Sequence, residues 1–185
     1  MNLAYALIGP PAAGKSSVAR ELRKYGIPEM ISYTTREPRP GEKHGVDYYF
    51  VDREVFARTE LVEKATYSGH LYGLAKTEVL KKVEENPVTV VCTEMHGLEQ
   101  LKKLLGKRII SIFLLVDENT IIERVILQGG DYAKVQERIN YAKETGEFNN
   151  WQTADHVVKN AGPLEVTVRQ VMAIMDLVGI KRPSA

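Results

Sequence analysis

The sequence predicts an α/β fold, a parallel sheet flanked by helices that also carries one small β-rich insertion and one helical arm. Three observations lead to it. Short apolar runs bounded by turn residues alternate with stretches of helical spacing along most of the chain. The first apolar run passes through a glycine turn straight into a helical pattern, which is how an α/β unit begins. Between Tyr33 and Tyr72 the alternation gives way to short stretches punctuated by Pro38, Pro40, Gly41, Gly45 and Gly69.

Taken in order, Leu3–Ile8 is the pattern of a strand buried on both faces. Gly14–Tyr25 has helical spacing, with Val18, Leu22 and Tyr25 on one side and Gly26 as a stop. Asp47–Val51 and Leu61–Tyr67 alternate and suggest a small antiparallel lobe. Lys76–Glu85 is expected to be helical, Val88–Thr93 a buried strand, Leu98–Leu105 a helix and Arg108–Val116 the next strand. Asp117 can cap a helix over Glu118–Leu127, because its side chain accepts from first-turn amides. Gln128-Gly129-Gly130 breaks that helix, and another follows from about Tyr132 to Thr145. His156–Lys159 is a last short strand and Leu164–Leu177 a closing amphipathic helix, with a frayed tail expected from Gly179 to Ala185. Trp151 is expected to pack the lid helix against the body.

A chain of 185 residues suits one well-cored domain. Its 44% hydrophobic and 26% charged residues are ordinary for a soluble protein, and a net charge of +1 gives no field that gathers nucleic acid or a membrane surface. The opening apolar run is too short to span a bilayer. One cysteine, Cys92, excludes an internal disulfide and suits a reducing cytoplasm; it is expected to be a small buried apolar residue. His44, His70, His96 and His156 share no metal-ligand spacing.

Gly9-Pro10-Pro11-Ala12-Ala13-Gly14-Lys15-Ser16 fits G-x-x-x-x-G-K-[ST], with Ser17 following. Glycines let backbone N–H groups converge on phosphate oxygens, and the helix behind them adds its positive end. Lys15 can reach the β- and γ-phosphates of ATP, and the Ser16 hydroxyl can ligate Mg²⁺. The required strand precedes this run and the required helix follows it, so a chance glycine turn is disfavoured. The expected architecture is therefore of the P-loop NTPase type.

A second constellation is Ser32-Tyr33-Thr34-Thr35-Arg36-Glu37-Pro38-Arg39-Pro40-Gly41-Glu42, followed by Gly45-Val46-Asp47-Tyr48-Tyr49-Phe50-Val51. Two arginines three apart, stiffened by prolines, can grip one phosphate with charge-assisted bonds. Glu42 can orient an arginine and limit the positive charge. This run resembles the guanylate kinase signature S-x-T-T-R-x-P-R-x-G-E-x-x-G-x-D-Y-x-F-V at every specified position, and the similarity extends from residue 3 to about residue 178. The resemblance implies a single domain with a core over 1–31, 74–126 and 148–185, a lobe for the nucleoside monophosphate over about 32–73 and a lid over about 127–147. It implies that Arg36, Arg39, Tyr48 and Tyr72 bind the GMP phosphate, with Ser32 in the same site. Glu63 matches the carboxylate that reads guanine by accepting from N1–H and the 2-amino group. Arg124 and Arg138 match lid arginines that stabilise the transferring phosphate, and Asn160 matches a residue near the adenine of ATP.

Three positions depart from that family pattern. Leu74 stands where the family has Ser or Thr facing the guanine O6. Cys92-Thr93-Glu94 replaces two acids flanking one residue, leaving Glu94 to hold Mg²⁺ through water or to touch the base. Gln128 stands where a lid arginine is usual. The function expected is ATP-dependent phosphorylation of GMP or dGMP to GDP or dGDP, with Mg²⁺, by a cytoplasmic monomer or homodimer whose partners are small nucleotides. Two alternatives remain open at this point: a kinase of the same fold for another nucleoside monophosphate or a sugar phosphate of the ribose bisphosphate type, and a non-catalytic guanylate kinase-like binding module.

Overall fold

A computed structural model of the chain describes residues 1–67, 69–127, 129 and 131–180. Strand β1 (Leu3–Ile8) runs into helix α1 (Lys15–Arg23), and a two-residue strand β2 (Tyr33–Thr34) starts the second sheet. Then come β3 (Tyr49–Phe50), α2 (Arg53–Arg58), β4 (Leu61–Tyr67), β5 (His70–Ala75), α3 (Lys76–Glu85), β6 (Val88–Cys92) and α4 (Met95–Leu105). The chain closes with β7 (Ile109–Leu115), α5 (Glu118–Leu127), α6 (Tyr132–Glu144), a 3₁₀ turn over Glu147–Thr153, β8 (His156–Lys159) and α7 (Leu164–Ile174).

The central sheet has the order β6-β1-β7-β8, and every pair in it is parallel. Parallel strands are covered on both faces, and β1 shows why its sequence is apolar throughout. Tyr5 and Leu7 face one core with Val18, Leu22, Ile112, Leu114, Val168 and Val171. Ala4, Ala6 and Ile8 face the other, with Val79, Leu98, Leu101 and Phe113. Successive side chains alternate between faces, so one strand feeds both cores.

The inserted sheet has the order β3-β2-β5-β4. It corrects the expectation of a wholly antiparallel lobe: β4–β5 and β5–β2 are antiparallel, but β2 and β3 are parallel. Residues 35–48 form a long return that brings Tyr49 beside Tyr33 in the same direction. Tyr49 N then donates to Ser32 O at 2.9 Å, and Val51 N to Thr34 O at 2.9 Å.

Local chemistry accounts for several boundaries. Asp117 caps α5, accepting from Thr120 N at 2.9 Å and from Thr120 Oγ1 at 2.7 Å. Asp52 does the same for α2, accepting from Val55 N at 2.7 Å. Helix α7 stops at Ile174, and Asp176 is left-handed with φ 56°. Trp151 does not play its expected role. It is 44% exposed, and Phe148, four residues past the end of α6, packs against the first core instead. Residues 181–185 of the expected tail, and Ser68, Gln128 and Gly130, lie outside the described residues. Among the described residues no helix is long and apolar enough to cross a membrane.

Candidate active site

The loop between β1 and α1 lies at the C-terminal edge of the central sheet, where open α/β sheets bind ligands. Gly9 (φ 145°), Ala12 (φ 59°) and Gly14 (φ 95°) turn its backbone through positive φ, the conformation that gathers amide N–H groups into an anion nest. Helix α1 has no acid in its first turn and no side-chain cap, which leaves its orphan amides for an anion. Ser16 and Ser17 are exposed on that first turn. Lys15 Nζ donates to Gly9 O at 2.6 Å and Pro10 O at 3.1 Å, folded across the loop formed by Pro10, Pro11, Ala12 and Ala13. Packing around the ammonium lowers its pKa, and Cys92, Glu94 and Glu147 pull it back up.

The loop is braced from β8. Asn160, 2% exposed, donates from Nδ2 to Ala13 O at 2.6 Å, and its Oδ1 accepts from Thr167 Oγ1 at 2.8 Å. Its backbone carbonyl accepts from Arg124 Nη2 at 2.7 Å. A Cβ on Gly14 would lie 2.5 Å from Asn160 Nδ2, so glycine is required there for space as well as for φ. Asn160 is thus first a support for the loop, and a cleft lined by Leu115, Val116, Asp117, Lys159 and Ala161 opens beside it.

The second half of the site is on the inserted sheet. Arg36 makes a two-pronged pair with Glu42, at 2.9 and 3.0 Å, and Arg39 N donates to Glu42 Oε2 at 2.7 Å. The Arg36 guanidinium stands over the Tyr48 ring at 5.5 Å and the Phe50 ring at 5.7 Å, and the Tyr48 and Tyr72 rings meet edge-on at 5.9 Å. Glu42 is held below its ordinary pKa chiefly by Arg36, and Arg36 is held firmly charged by Glu42. Arg36 Nε is buried with no hydrogen-bond partner among the described residues. Such a donor costs about 1–3 kcal/mol, a cost that a ligand oxygen removes. Ser32 sits at the entry to β2, and the Arg39 side chain is exposed at the rim.

Glu63 and Leu74 are register partners on β4 and β5. The Glu63 carboxylate reaches the first turn of α4. A Cβ built on Gly97 would lie 2.2 Å from Glu63 Oε2 and 2.0 Å from Thr93 Oγ1. Burial pushes the Glu63 pKa up, a hydrogen bond from the Thr93 side chain pulls it down, Glu94 pushes and His96 pulls. Exposed Glu94 and partly buried Glu147 line a cleft with Gly9 and His96. Arg138, exposed on α6, acts electrostatically on both Lys15 and Glu147. Glu147 and Gly97 were missed by sequence reasoning. Glu147 carries no motif, whereas Gly97 had a signal, a glycine inside a helical pattern.

A family model described as guanylate kinase matches residues 2–177. The chain belongs to the guanylate kinase family. It is similar to the guanylate kinase of Thermus thermophilus, 33% identical over 177 residues that cover 92% of this chain and 79% of that protein. It is similar also to the guanylate kinase of a Ruegeria species, 34% identical over 96% of this chain and 86% of that protein. The crystal structure of guanylate kinase from Anaplasma phagocytophilum superposes with a TM-score of 0.69 at 25% identity, covering 98% of this chain and 87% of that one.

Against the family pattern, Leu74 is fully buried and packs in the second core with Ile8, Val79 and Leu98. Its lost hydroxyl is replaced by core packing, and the side chain has no exposed surface. Cys92 is partly buried and packs against the first core, as expected of a small apolar residue. Burial pushes its thiol pKa well above the ordinary value, and the nearby Glu29 adds to that rise. Gln128 lies outside the described residues.

Proposed function

We infer that the protein is a nucleoside monophosphate kinase, transferring the γ-phosphoryl group of ATP to GMP or dGMP. The observation that carries this reading is the pairing of two anion sites in one family-typical order: the cradle at Gly9–Ser16 and the Arg36–Glu42 clamp, with the Glu63 carboxylate behind it.

Lys15 leaves the carbonyls of Gly9 and Pro10 to meet the β- and γ-phosphates, while the loop amides and the α1 terminus hold the rest of the chain of phosphates. Asn160 keeps that loop in shape through Ala13. On the acceptor side Arg36, Arg39, Tyr48 and Tyr72 grip the GMP phosphate, with Ser32 beside them and Glu42 fixing the plane of Arg36. Ionised Glu63 accepts from guanine N1–H and the 2-amino group, an edge that adenine does not present. The acceptor phosphate is ionised near neutral pH, so no general base is needed, and catalysis is positioning plus neutralisation of charge. Arg124, on α5 at the edge of the lid, and Arg138, on α6 within residues 127–147, would add positive charge as that lid closes and water is excluded.

Among the described residues no group of three or more His, Cys, Asp or Glu is arranged to hold a metal. An exposed Ser16 hydroxyl and the Glu94 carboxylate suit Mg²⁺, which keeps several waters and takes phosphate oxygens as ligands. Held at Ser16 and Glu94, Mg²⁺ would supply positive charge against the charge that develops on the transferring phosphoryl group. A cytosolic setting, as monomer or homodimer, belongs to the same proposal.

A coupled ADP-release assay with GMP, dGMP, AMP, UMP and ribose phosphates tests it. GMP and dGMP should turn over best, and Lys15→Ala should abolish transfer. Turnover of another monophosphate with none of GMP would replace the acceptor assignment, and unchanged turnover in Lys15→Ala would remove the cradle's role. Failure to bind Mg-ATP at all would favour the non-catalytic module.

A further inference from the structure

Tyr48, one of the residues assigned to the GMP phosphate, stands at the end of the long return over residues 35–48. A short turn closes just before it. Lys43 N donates to Asp47 Oδ2 at 2.9 Å, Asp47 N to Lys43 O at 3.0 Å, and Gly45 N to Tyr48 O at 2.8 Å. These bonds give the turn its shape, but all of them lie within residues 43–48, so they do not fix it to the central sheet.

The tie to the core comes from α1. Arg23, the last residue of that helix, donates from Nη1 to Val46 O at 2.5 Å, and its Nη2 lies 4.0 Å from Asp47 Oδ1. The other edge of the guanidinium turns to Glu29, with Nε 3.4 Å from Oε2. Glu29 is itself placed by the sheet. It is bridged in parallel to Val90 of β6, with Met30 N donating to Val90 O at 2.8 Å and Val90 N to Pro28 O at 2.9 Å. A planar guanidinium held along one edge presents its other edge in a fixed direction, which a lysine ammonium would not do. Beyond Tyr48, Tyr49 N donates to Ser32 O at 2.9 Å. The Tyr48 backbone is therefore held on one side by Arg23 and on the other by Ser32.

We propose that Arg23, oriented by Glu29, is a positioning residue for phosphoryl transfer: it ties the 43–47 turn to the core and so holds Tyr48 against Arg36 at the acceptor phosphate. The side chains of Arg23, Glu29 and Asp47 are 23%, 15% and 17% exposed, whereas Arg20, 3.8 Å from the same Asp47, is 64% exposed. Arg20 makes an ordinary solvated pair, weak and screened. The Arg23 contacts are shielded and include a charge-assisted bond to a main-chain oxygen. Helix α1 also has Lys15 of the phosphate cradle as its first residue. One helix thus meets the donor loop at its start and the acceptor turn at its end, and loss of the Arg23 tie frees the acceptor end while the cradle stays in place.

This role rests on the reading of Tyr48 and Arg36 as the acceptor phosphate site, and a double-mutant cycle in steady-state kinetics on the full chain separates the two. Arg23→Met keeps much of the stem and removes the donors. It should lower kcat/KM for GMP about tenfold, as expected when a positioned group shifts by a fraction of an ångström, and leave the KM for ATP unchanged. Tyr48→Phe removes the hydroxyl that the tie places, so adding Arg23→Met to Tyr48→Phe should cost no more than about twofold further. A loss shared equally by GMP and ATP, no loss, or the same loss in both backgrounds overturns the role of Arg23 while the acceptor site stands. A wild-type chain without GMP turnover, or Tyr48→Phe without effect on GMP, overturns the acceptor reading and this role with it. If Arg23→Met does not fold, Glu29→Gln takes its place in the cycle. A loss confined to GMP and absent in the Tyr48→Phe background then supports the tie, and any other pattern in a folded variant overturns it.

Discussion

Gly97→Ala places one methyl group where the structure has the Glu63 carboxylate and the Thr93 hydroxyl. The new Cβ would lie 2.2 Å from Glu63 Oε2 and 2.0 Å from Thr93 Oγ1. Both obstructing atoms are at the ends of side chains, so rotation relieves the clash and the stability cost should stay near the low end for overpacking, about 1 kcal/mol. The functional cost is larger, because the rotation is what matters to the base. Glu63 Oε2 must retreat by roughly 1 Å, and a misplacement of that size in a positioned group costs ~10²-fold. Steady-state kinetics should therefore show kcat/KM for GMP falling by about two orders of magnitude, with the KM for ATP unchanged and a thermal midpoint lower by only about 2–4 °C. A variant that keeps wild-type GMP kinetics would refute the placement of Glu63 against α4. One that loses ATP binding equally would show damage to the whole site.

Three further outcomes follow from other contacts. Asn160→Ala removes the bonds to Ala13 O and Thr167 Oγ1; with each partner left unsatisfied at about 1–3 kcal/mol, thermal unfolding should show a loss of a few kcal/mol and the KM for ATP should rise. Leu74→Ser should not improve GMP affinity, because the residue is fully buried; cavity formation should instead cost about 2–5 kcal/mol, read from denaturant midpoints. Glu63→Gln should lose GMP selectivity yet gain stability at neutral pH. The folded-state pKa of Glu63 is raised, so as pH climbs past the unfolded value near 4.5 the unfolded chain ionises first and wild-type stability falls until the folded pKa is passed. Melts at about pH 4 and about pH 7 should show the variant's advantage only at the higher pH, and an advantage at both would contradict the burial argument.

Much of the fold was legible because its elements are locally consistent. The expected bounds of β4, α3, α5 and β8 coincide with the structure. Helix α4 starts at Met95, earlier than its apolar spacing suggested, because Glu94 precedes it without a side-chain cap that would mark the start. Helix α2 was missed although Asp52 caps it, since six residues carry too little periodicity. The parallel β2–β3 pair could not be read from two-residue strands. In the site, the phosphate cradle and the Arg36–Glu42 clamp are contiguous in sequence and were visible. Glu147 was not, because topology alone brings its segment beside Gly9. The base pocket was half visible: Glu63 could be named, but the Gly97 gap that admits its carboxylate exists only after α4 packs on β4.

The central claim is that phosphate moves from ATP to GMP in this site. Chromatographic identification of the nucleotides formed from ATP and GMP with Mg²⁺ tests it most directly. The structure predicts GDP and ADP appearing in equal amounts, with neither formed by Lys15→Ala. ADP without GDP, or no product from a chain that binds both nucleotides, would contradict it.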